Sequence, residues 1–164
     1  MVTINRFSGT HTFLSNFYHH KMTIKGITYL TNEHYFQSKK TLDEKEANWI
    51  IKSVSAKEAK YRGRKITLRK DWNQIREKVM LDGLICKFKD LDLLKKLIAT
   101  YPDILIEGNT WHDNFWGDCH CPRCRKIIGK NKLGELLMKV RNDIMKNGNS
   151  FEIKRIPKKK RKSI

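Results

Sequence analysis

Helix-start signals recur along this chain at short intervals, and they confine it to a fold built mainly of short helices. Asp43 with Glu46, Ser55 with Glu58, and Asp71 with Gln74 share one spacing. In each, a small oxygen-bearing side chain stands where it can satisfy the free N–H groups of a first helical turn. Asn32 reads as a further N-cap, with Glu33 in the first turn, where its charge opposes the positive end of the helix dipole. Gly63 fits a C-terminal stop. Ile75, Val79, Leu84 and Phe88 recur at helical intervals from Trp72 to Phe88, and a shorter helix from Leu91 to Ala99 must end before Pro102. Leu133, Leu136, Leu137, Val140 and Ile144 draw the cleanest apolar stripe, which Gly148 stops. Residues 1–30 are strand-like instead, with Met22, Ile24, Ile27 and Tyr29 placed around a Lys25-Gly26 turn as a short hairpin. The expected fold class is α+β, mainly α, with a small N-terminal β element.

A chain of 164 residues suits one compact domain, placed at 1–150, with a basic tail at 151–164 expected to be disordered. No 18-residue apolar run is present, and no apolar stretch follows the first charges as in a signal peptide. A cytoplasmic protein with no membrane partner is the expectation. Charge says more. Lys and Arg number 35 against 17 Asp and Glu, a net +18 and a pI near 9.9. The tail, with its Pro157-Lys158-Lys159-Lys160-Arg161-Lys162 run, supplies +6, so residues 1–150 keep +12. Such a surface attracts polyanions, nucleic acid above all, without stating any sequence preference.

Chemistry concentrates in two segments. In Glu33-His34-Tyr35-Phe36-Gln37-Ser38-Lys39-Lys40, a carboxylate and a lysine stand seven residues apart. On one helix they share an azimuth, displaced by roughly 10 Å along the axis, with Gln37 between them; Lys39 points about 100° away. Downstream, Asp113-Asn114-Phe115-Trp116-Gly117-Asp118 and Gly129-Lys130-Asn131-Lys132-Leu133-Gly134 have loop composition with reactive side chains. Taken singly, each has a plain reading: Glu33 compensates a helix dipole, Lys40 is solvated, Trp72 and Trp116 are core or rim aromatics, and Arg64 is a C-terminal helix charge. His34 and His112 read as packing or hydrogen-bonding residues.

Taken together and in order, these segments, with Gly63-Arg64, Leu68-Arg69-Lys70-Asp71-Trp72 and the continuation to Met138, resemble the NADAR (YbiA-like) family of N-glycosidases over nearly the whole chain. The resemblance implies hydrolysis of a bond between ribose C1 and a base or amine nitrogen. Some members act on ribosylamino-pyrimidine phosphates of the riboflavin pathway. Others remove ADP-ribose from nucleobases in DNA, and phage-encoded members counter DarT-type toxins. Cleaving such a bond develops positive charge on the ribose and negative charge on the leaving nitrogen, so it calls for a carboxylate near C1 and a proton donor near the base. Glu33 and Asp113 are the candidate carboxylates. The resemblance implies that Lys40 attacks C1 and opens the ribose to a Schiff base. Lys40 must then be neutral, which burial or nearby cations favour and an ionised Glu33 opposes. By the same resemblance Arg64 is a candidate phosphate ligand, and Trp72 and Trp116 form a stacking platform or a pocket wall. Phe115, Gly117 and Asp118 join them as substrate-binding residues. Asn131 either caps the helix starting near Leu133 or contacts substrate.

The chain departs from the shorter family pattern at Cys119-His120-Cys121-Pro122-Arg123-Cys124. Cys119, Cys121 and Cys124 suit a structural zinc, with Cys86, His120 or His112 as fourth ligand; reduced thiols and a reversible disulfide are the alternatives. No cofactor is expected for catalysis itself, nor an obligate protein partner. The functional expectation is an N-glycosidase acting on ADP-ribosylated DNA, because the charge on residues 1–150 exceeds what a monophosphate substrate explains. A riboflavin-pathway hydrolase and a non-catalytic nucleic-acid-binding protein are the alternatives.

Overall fold

A computed structural model describes residues 1–147, so the Gly148 stop and the basic tail at 151–164 lie outside the described residues. Short strands β1 (Thr3–Ile4), β2 (Met22–Ile24) and β3 (Ile27–Tyr29) precede five helices: α1 (Asn32–Ser38), α2 (Glu44–Ile51), α3 (Ala56–Arg62), α4 (Trp72–Lys87) and α5 (Leu91–Ala99). Then come β4 (Ile104–Leu105), β5 (Gly108–Asn109), β6 (Asp118–Cys119) and α6 (Lys132–Lys146). The strands pair two by two: β1 with β4 in parallel, β2 with β3 as the antiparallel hairpin, and β5 with β6 in parallel. The α+β, mainly helical expectation holds. No helix among the described residues is long and apolar enough to cross a membrane.

The hairpin turn lies where the sequence puts it, because Lys25 (φ 50°) and Gly26 (φ 80°) both take the left-handed conformation that tight two-residue turns require. The strand-like reading of 1–30 fails at residues 9–14, which form a 3-10 helix that sends Phe13 and Leu14 into the core. Two caps also differ. Thr31, not Asn32, caps α1, its Oγ1 accepting from the His34 N–H at 3.2 Å. Asn32 turns inward and donates to Asn16 Oδ1 at 2.8 Å, in space that exists because Gly83 has no side chain. Asp71 caps nothing, since both of its oxygens are held by Arg69 at 2.6 and 2.9 Å. Asp43 and Ser55 do cap α2 and α3. Gly63 ends α3 in a right-handed conformation, so it is needed for space rather than for φ: a Cβ there would overlap the Gln37 carboxamide.

The core lies between α4 and α6 and is closed by α1, α5 and β4. Leu84 and Phe88 of the α4 end meet Leu133, Leu137 and Val140 of the predicted α6 stripe, with Leu97 and Leu105 beneath. Each such side chain contributes about 1.5–3 kcal/mol by leaving water. Helix α1 is short, yet all seven of its residues are buried, wrapped by β3, α2, α3 and α4. That burial makes it a rigid mount for chemistry.

One buried charge in this core has a measurable consequence. Lys87 is 1% exposed, its Nζ donating to the Ser15 carbonyl at 2.8 Å, and burial draws its pKa down to about 7. The unfolded lysine binds a proton up to about pH 10.5, so between those values the native state holds fewer protons and stability rises with pH. Lys87→Met should flatten the rise in Tm that the wild type shows through this window. An unchanged slope would mean that Lys87 titrates normally in the folded protein.

Candidate functional site

Helix α1, helix α3, strand β5 with the loop after it, and the segments on either side of the 3-10 helix enclose a cleft of about 800 Å³. Glu33, Lys40, Asp113, Arg64 and Trp116 all line it. The two sequence segments, 80 positions apart at Glu33 and Asp113, thus line one cleft.

Glu33 is 6% exposed in the first turn of α1, its Oε1 accepting from Gln37 Nε2 at 2.7 Å. Burial pushes its carboxyl above the usual range; nearby Asp113 adds to this, while Gln37, Lys60 and Lys40 oppose it. Lys40 is not on the helix as expected. The helix ends at Ser38, and the Lys40 N–H bonds to the Gln37 carbonyl at 3.2 Å in a tightened last turn. Its amine still enters the cleft, 5.7 Å from the Phe36 ring centre and 6.0 Å from that of Trp72. Burial lowers the Lys40 pKa, Lys60 and Arg64 lower it further, and Glu33 opposes them without reversing the direction.

Asp113 is fixed by its own loop: its Oδ1 accepts from the Phe115 and Trp116 N–H groups at 3.1 and 2.8 Å. Asn109 holds the same loop from the other side, accepting from the Trp111 and Asp113 N–H groups at 3.2 Å each and donating to the Asp113 carbonyl at 2.7 Å. A third carboxyl, absent from the sequence reading, completes the set. Glu107 faces the same cleft, and desolvation with the neighbouring Asp113 and Glu33 pushes its pKa up to about 8. At neutral pH it holds a proton. Lys60, also missed, stands among these groups: it counters the upward shifts of Glu33 and Glu107 and adds to the downward shift of Lys40. The only local sign of Glu107 is an acid following the apolar Ile104-Leu105-Ile106 and preceding a glycine, a pattern that surface turns share.

Of the residues expected to contact substrate, Trp72, Phe115, Gly117, Asp118 and Asn131 stand outside the lining of the cleft. Trp72 is 6% exposed and does not line the cleft; it packs on Phe36, ring centres 5.0 Å apart, behind the cleft wall. Trp116 stands edge-on to Phe36 at 5.3 Å and forms the wall itself. Phe115 lies beyond it, edge-on to Trp116 and covered by the Arg76 guanidinium at 3.5 Å. Gly117 allows the Glu107 carbonyl and Asn109 to approach closely, and Asp118 accepts from the Gly129 N–H at 2.8 Å. Asn131 starts α6 without capping it. Its Oδ1 accepts from the Glu107 N–H at 3.0 Å and its Nδ2 donates to the Leu105 carbonyl at 2.8 Å, clamping Glu107 in place.

Beside the cleft, the sulfurs of Cys119, Cys121 and Cys124 and a ring nitrogen of His112 all lie within 4.8 Å of one another, a donor set competent to hold a metal. Of the three fourth ligands considered, His112 is the one that converges. Cys86 points to the Thr23 carbonyl, and His120 is paired loosely with Asp118 at 3.8 Å.

What the arrangement can do is acid–base and nucleophilic chemistry on an anionic substrate. It has a protonated carboxyl, a second carboxyl of raised pKa, an amine of lowered pKa, an aromatic wall, and Arg6, Lys57 and Arg64 around the opening. The NADAR domain matches residues 5–145. The chain is 39% identical over 133 residues to the N-glycosidase YbiA of Escherichia coli, covering 79% of each chain. It is 34% identical over 136 residues to an N-glycosidase of Nostoc punctiforme, covering 79% of this chain and 83% of that one. A riboflavin biosynthesis protein of Vibrio vulnificus is 31% identical over 140 residues, which cover 84% of this chain but 36% of that protein. The NMR structure of E. coli YbiA superimposes with a TM-score of 0.76 at 36% identity, covering 90% of this chain and 88% of that one. On the match of its full domain, its sequence identity and its fold, the chain belongs to the NADAR family.

Proposed function

We propose that this protein is an N-glycosidase that hydrolyses the bond between ribose C1 and a base nitrogen, and that its substrate is ADP-ribose attached to nucleobases in DNA. The observation that carries the reaction type is the meeting of Lys40, its pKa lowered, with Glu33 and Glu107, their pKa values raised, in one cleft. In this reading the neutral Lys40 amine attacks C1, the C1–N bond breaks, and its electron pair goes to the leaving nitrogen, which takes a proton from Glu107 or Glu33. Opening of the ribose gives a Schiff base at Lys40, and water hydrolyses it to release the free sugar and the amine. The cations around the opening suit a diphosphate, and a net +12 on residues 1–150 suits the DNA that carries it. Reversal of DNA ADP-ribosylation, an antitoxin role, follows from that substrate.

The likeness to a riboflavin biosynthesis protein favours a second reading, hydrolysis of a ribosylamino-pyrimidine phosphate in the same cleft. The two separate in one experiment, in which the protein is incubated with an ADP-ribosylated oligonucleotide and with the pyrimidine substrates. The first reading expects ADP-ribose release with a kcat/KM that falls as salt rises. Salt-insensitive turnover of the pyrimidines alone would replace it with the second.

A further inference from the structure

We propose that His112, Cys119, Cys121 and Cys124 bind one zinc ion, and that this ion positions the catalytic loop by anchoring the residue next to Asp113. The donor geometry comes first. His112 Nδ1 lies 3.2 Å from Cys121 Sγ and 3.4 Å from Cys124 Sγ, so one nitrogen faces two sulfurs at once. Bond lengths of about 2.3 Å to sulfur and about 2.0 Å to nitrogen give a tetrahedron donor–donor edges of roughly 3.5–3.8 Å. The two nitrogen–sulfur edges are within a few tenths of an ångström of that size, and all four donor atoms lie within 4.8 Å of one another. A neutral imidazole has one proton to share and cannot serve both sulfurs as a donor.

The surroundings point the same way. Cys119, Cys121 and Cys124 are 2%, 8% and 4% exposed, yet they form a buried cluster of their own, apart from the main core. Three small side chains bury too little apolar surface to order the loop from 119 to 129. Cys121 and Cys124 are joined by the turn in which the Cys124 N–H bonds to the Cys121 carbonyl at 3.0 Å, which brings both sulfurs to one side. The sulfurs also receive N–H groups, as thiolates on a metal do: the His112 N–H reaches Cys119 Sγ at 3.3 Å and Asn114 Nδ2 reaches Cys124 Sγ at 3.2 Å. One disulfide would leave the third sulfur without a role. Binding Zn²⁺ releases three thiol protons and leaves a site of net charge −1 on a loop that carries Arg123, Arg125 and Lys126.

The link to the cleft is short. His112 takes the left-handed conformation, φ 68°, a strained choice for a side-chain-bearing residue that an anchored ring would hold. Asp113 follows it directly. The Cys119 N–H bonds to Asn114 Oδ1 at 3.0 Å and the His120 N–H to the Asn109 carbonyl at 2.8 Å, so the cysteine loop and the Asp113 loop are tied at both ends. His112 is a positioning residue in this scheme.

The test begins with metal content, which does not depend on the glycosidase reading and so can fail separately from it. The full chain, purified reduced and without a polyhistidine tag, should carry about one zinc per molecule, and cobalt in its place should show the visible absorption of a tetrahedral thiolate site. Cys121→Ala and His112→Ala should lose the metal, while His112→Cys should keep it, because four thiolates also suit zinc. Chelation should speed amide exchange in residues 109–118 and leave residues 133–146 unchanged. In the hydrolysis assay it should lower kcat with little change in KM, and His112→Cys should restore most of what His112→Ala loses. Zinc near zero in the wild type, or undiminished in His112→Ala, would overturn the site. Unchanged exchange in residues 109–118 on chelation would overturn the positioning role.

Discussion

Lys40→Ala is expected to lose turnover by a factor of about 10² to 10⁴, the range an activated nucleophile or proton-transfer group contributes, while the fold survives. The side chain is half-buried in the cleft and makes no hydrogen bond that other elements need, so far-UV circular dichroism and Tm should change little. Lys40→Arg is the sharper variant. It keeps a positive charge beside Glu33 and the contact with the Phe36 ring but cannot form a Schiff base, so it should be as inactive as the alanine variant if the amine attacks C1. Sodium borohydride added during turnover should then trap a sugar adduct on Lys40 in the wild type and on no residue in Lys40→Arg. An active Lys40→Arg would reduce Lys40 to an electrostatic role and leave the carboxyls with water to do the chemistry.

The second large effect belongs to the carboxyls. Glu33→Gln should lose turnover by a comparable factor, because it keeps the acceptor for Gln37 and the shape of α1 while removing the ionisable group. Its stability should rise. The folded carboxyl has a raised pKa, so the wild type loses stability as pH climbs above the unfolded value of about 4.5, and an amide does not titrate. A variant that is inactive but melts higher at neutral pH than the wild type would show that Glu33 is retained at a cost for chemistry. Glu107→Gln separates the roles further. With a pKa of about 8, Glu107 should impose an alkaline limb on the kcat profile as it gives up its proton, and the glutamine variant should lack that limb. A limb that persists in Glu107→Gln would assign it to another group, Lys40 foremost. Near-normal turnover in Glu33→Gln would remove this cleft as the site of hydrolysis.

The positions of α3, α4, α5 and α6 were legible because capping and apolar periodicity act over three or four residues, and the chain need not be folded for them to operate. The Glu33 and Lys40 pair was legible for a related reason. A spacing of seven keeps two side chains on one side even though the last turn of α1 tightens before Lys40. The capping of α1 was misread between adjacent candidates, Thr31 and Asn32, because which of them turns outward depends on Gly83 of α4 leaving room for the Asn32 carboxamide.

Family likeness alone could not sort the substrate wall from its backing. Trp72 and Trp116 are both aromatic and both stand in matched segments, yet Phe36 lies between Trp72 and the cleft while Trp116 faces it. Amino-acid order by itself determined the helices, the hairpin, and one carboxylate and one lysine on a shared face, since each rests on neighbours in the chain. Tertiary structure alone decided that Glu107 joins them protonated, that Asn131 clamps it, and that His112 closes the cysteine cluster. These last depend on proximity between segments that have no local means of specifying one another. A raised pKa in particular is a property of a desolvated neighbourhood, not of a residue, and it comes into being only when the chain closes around it.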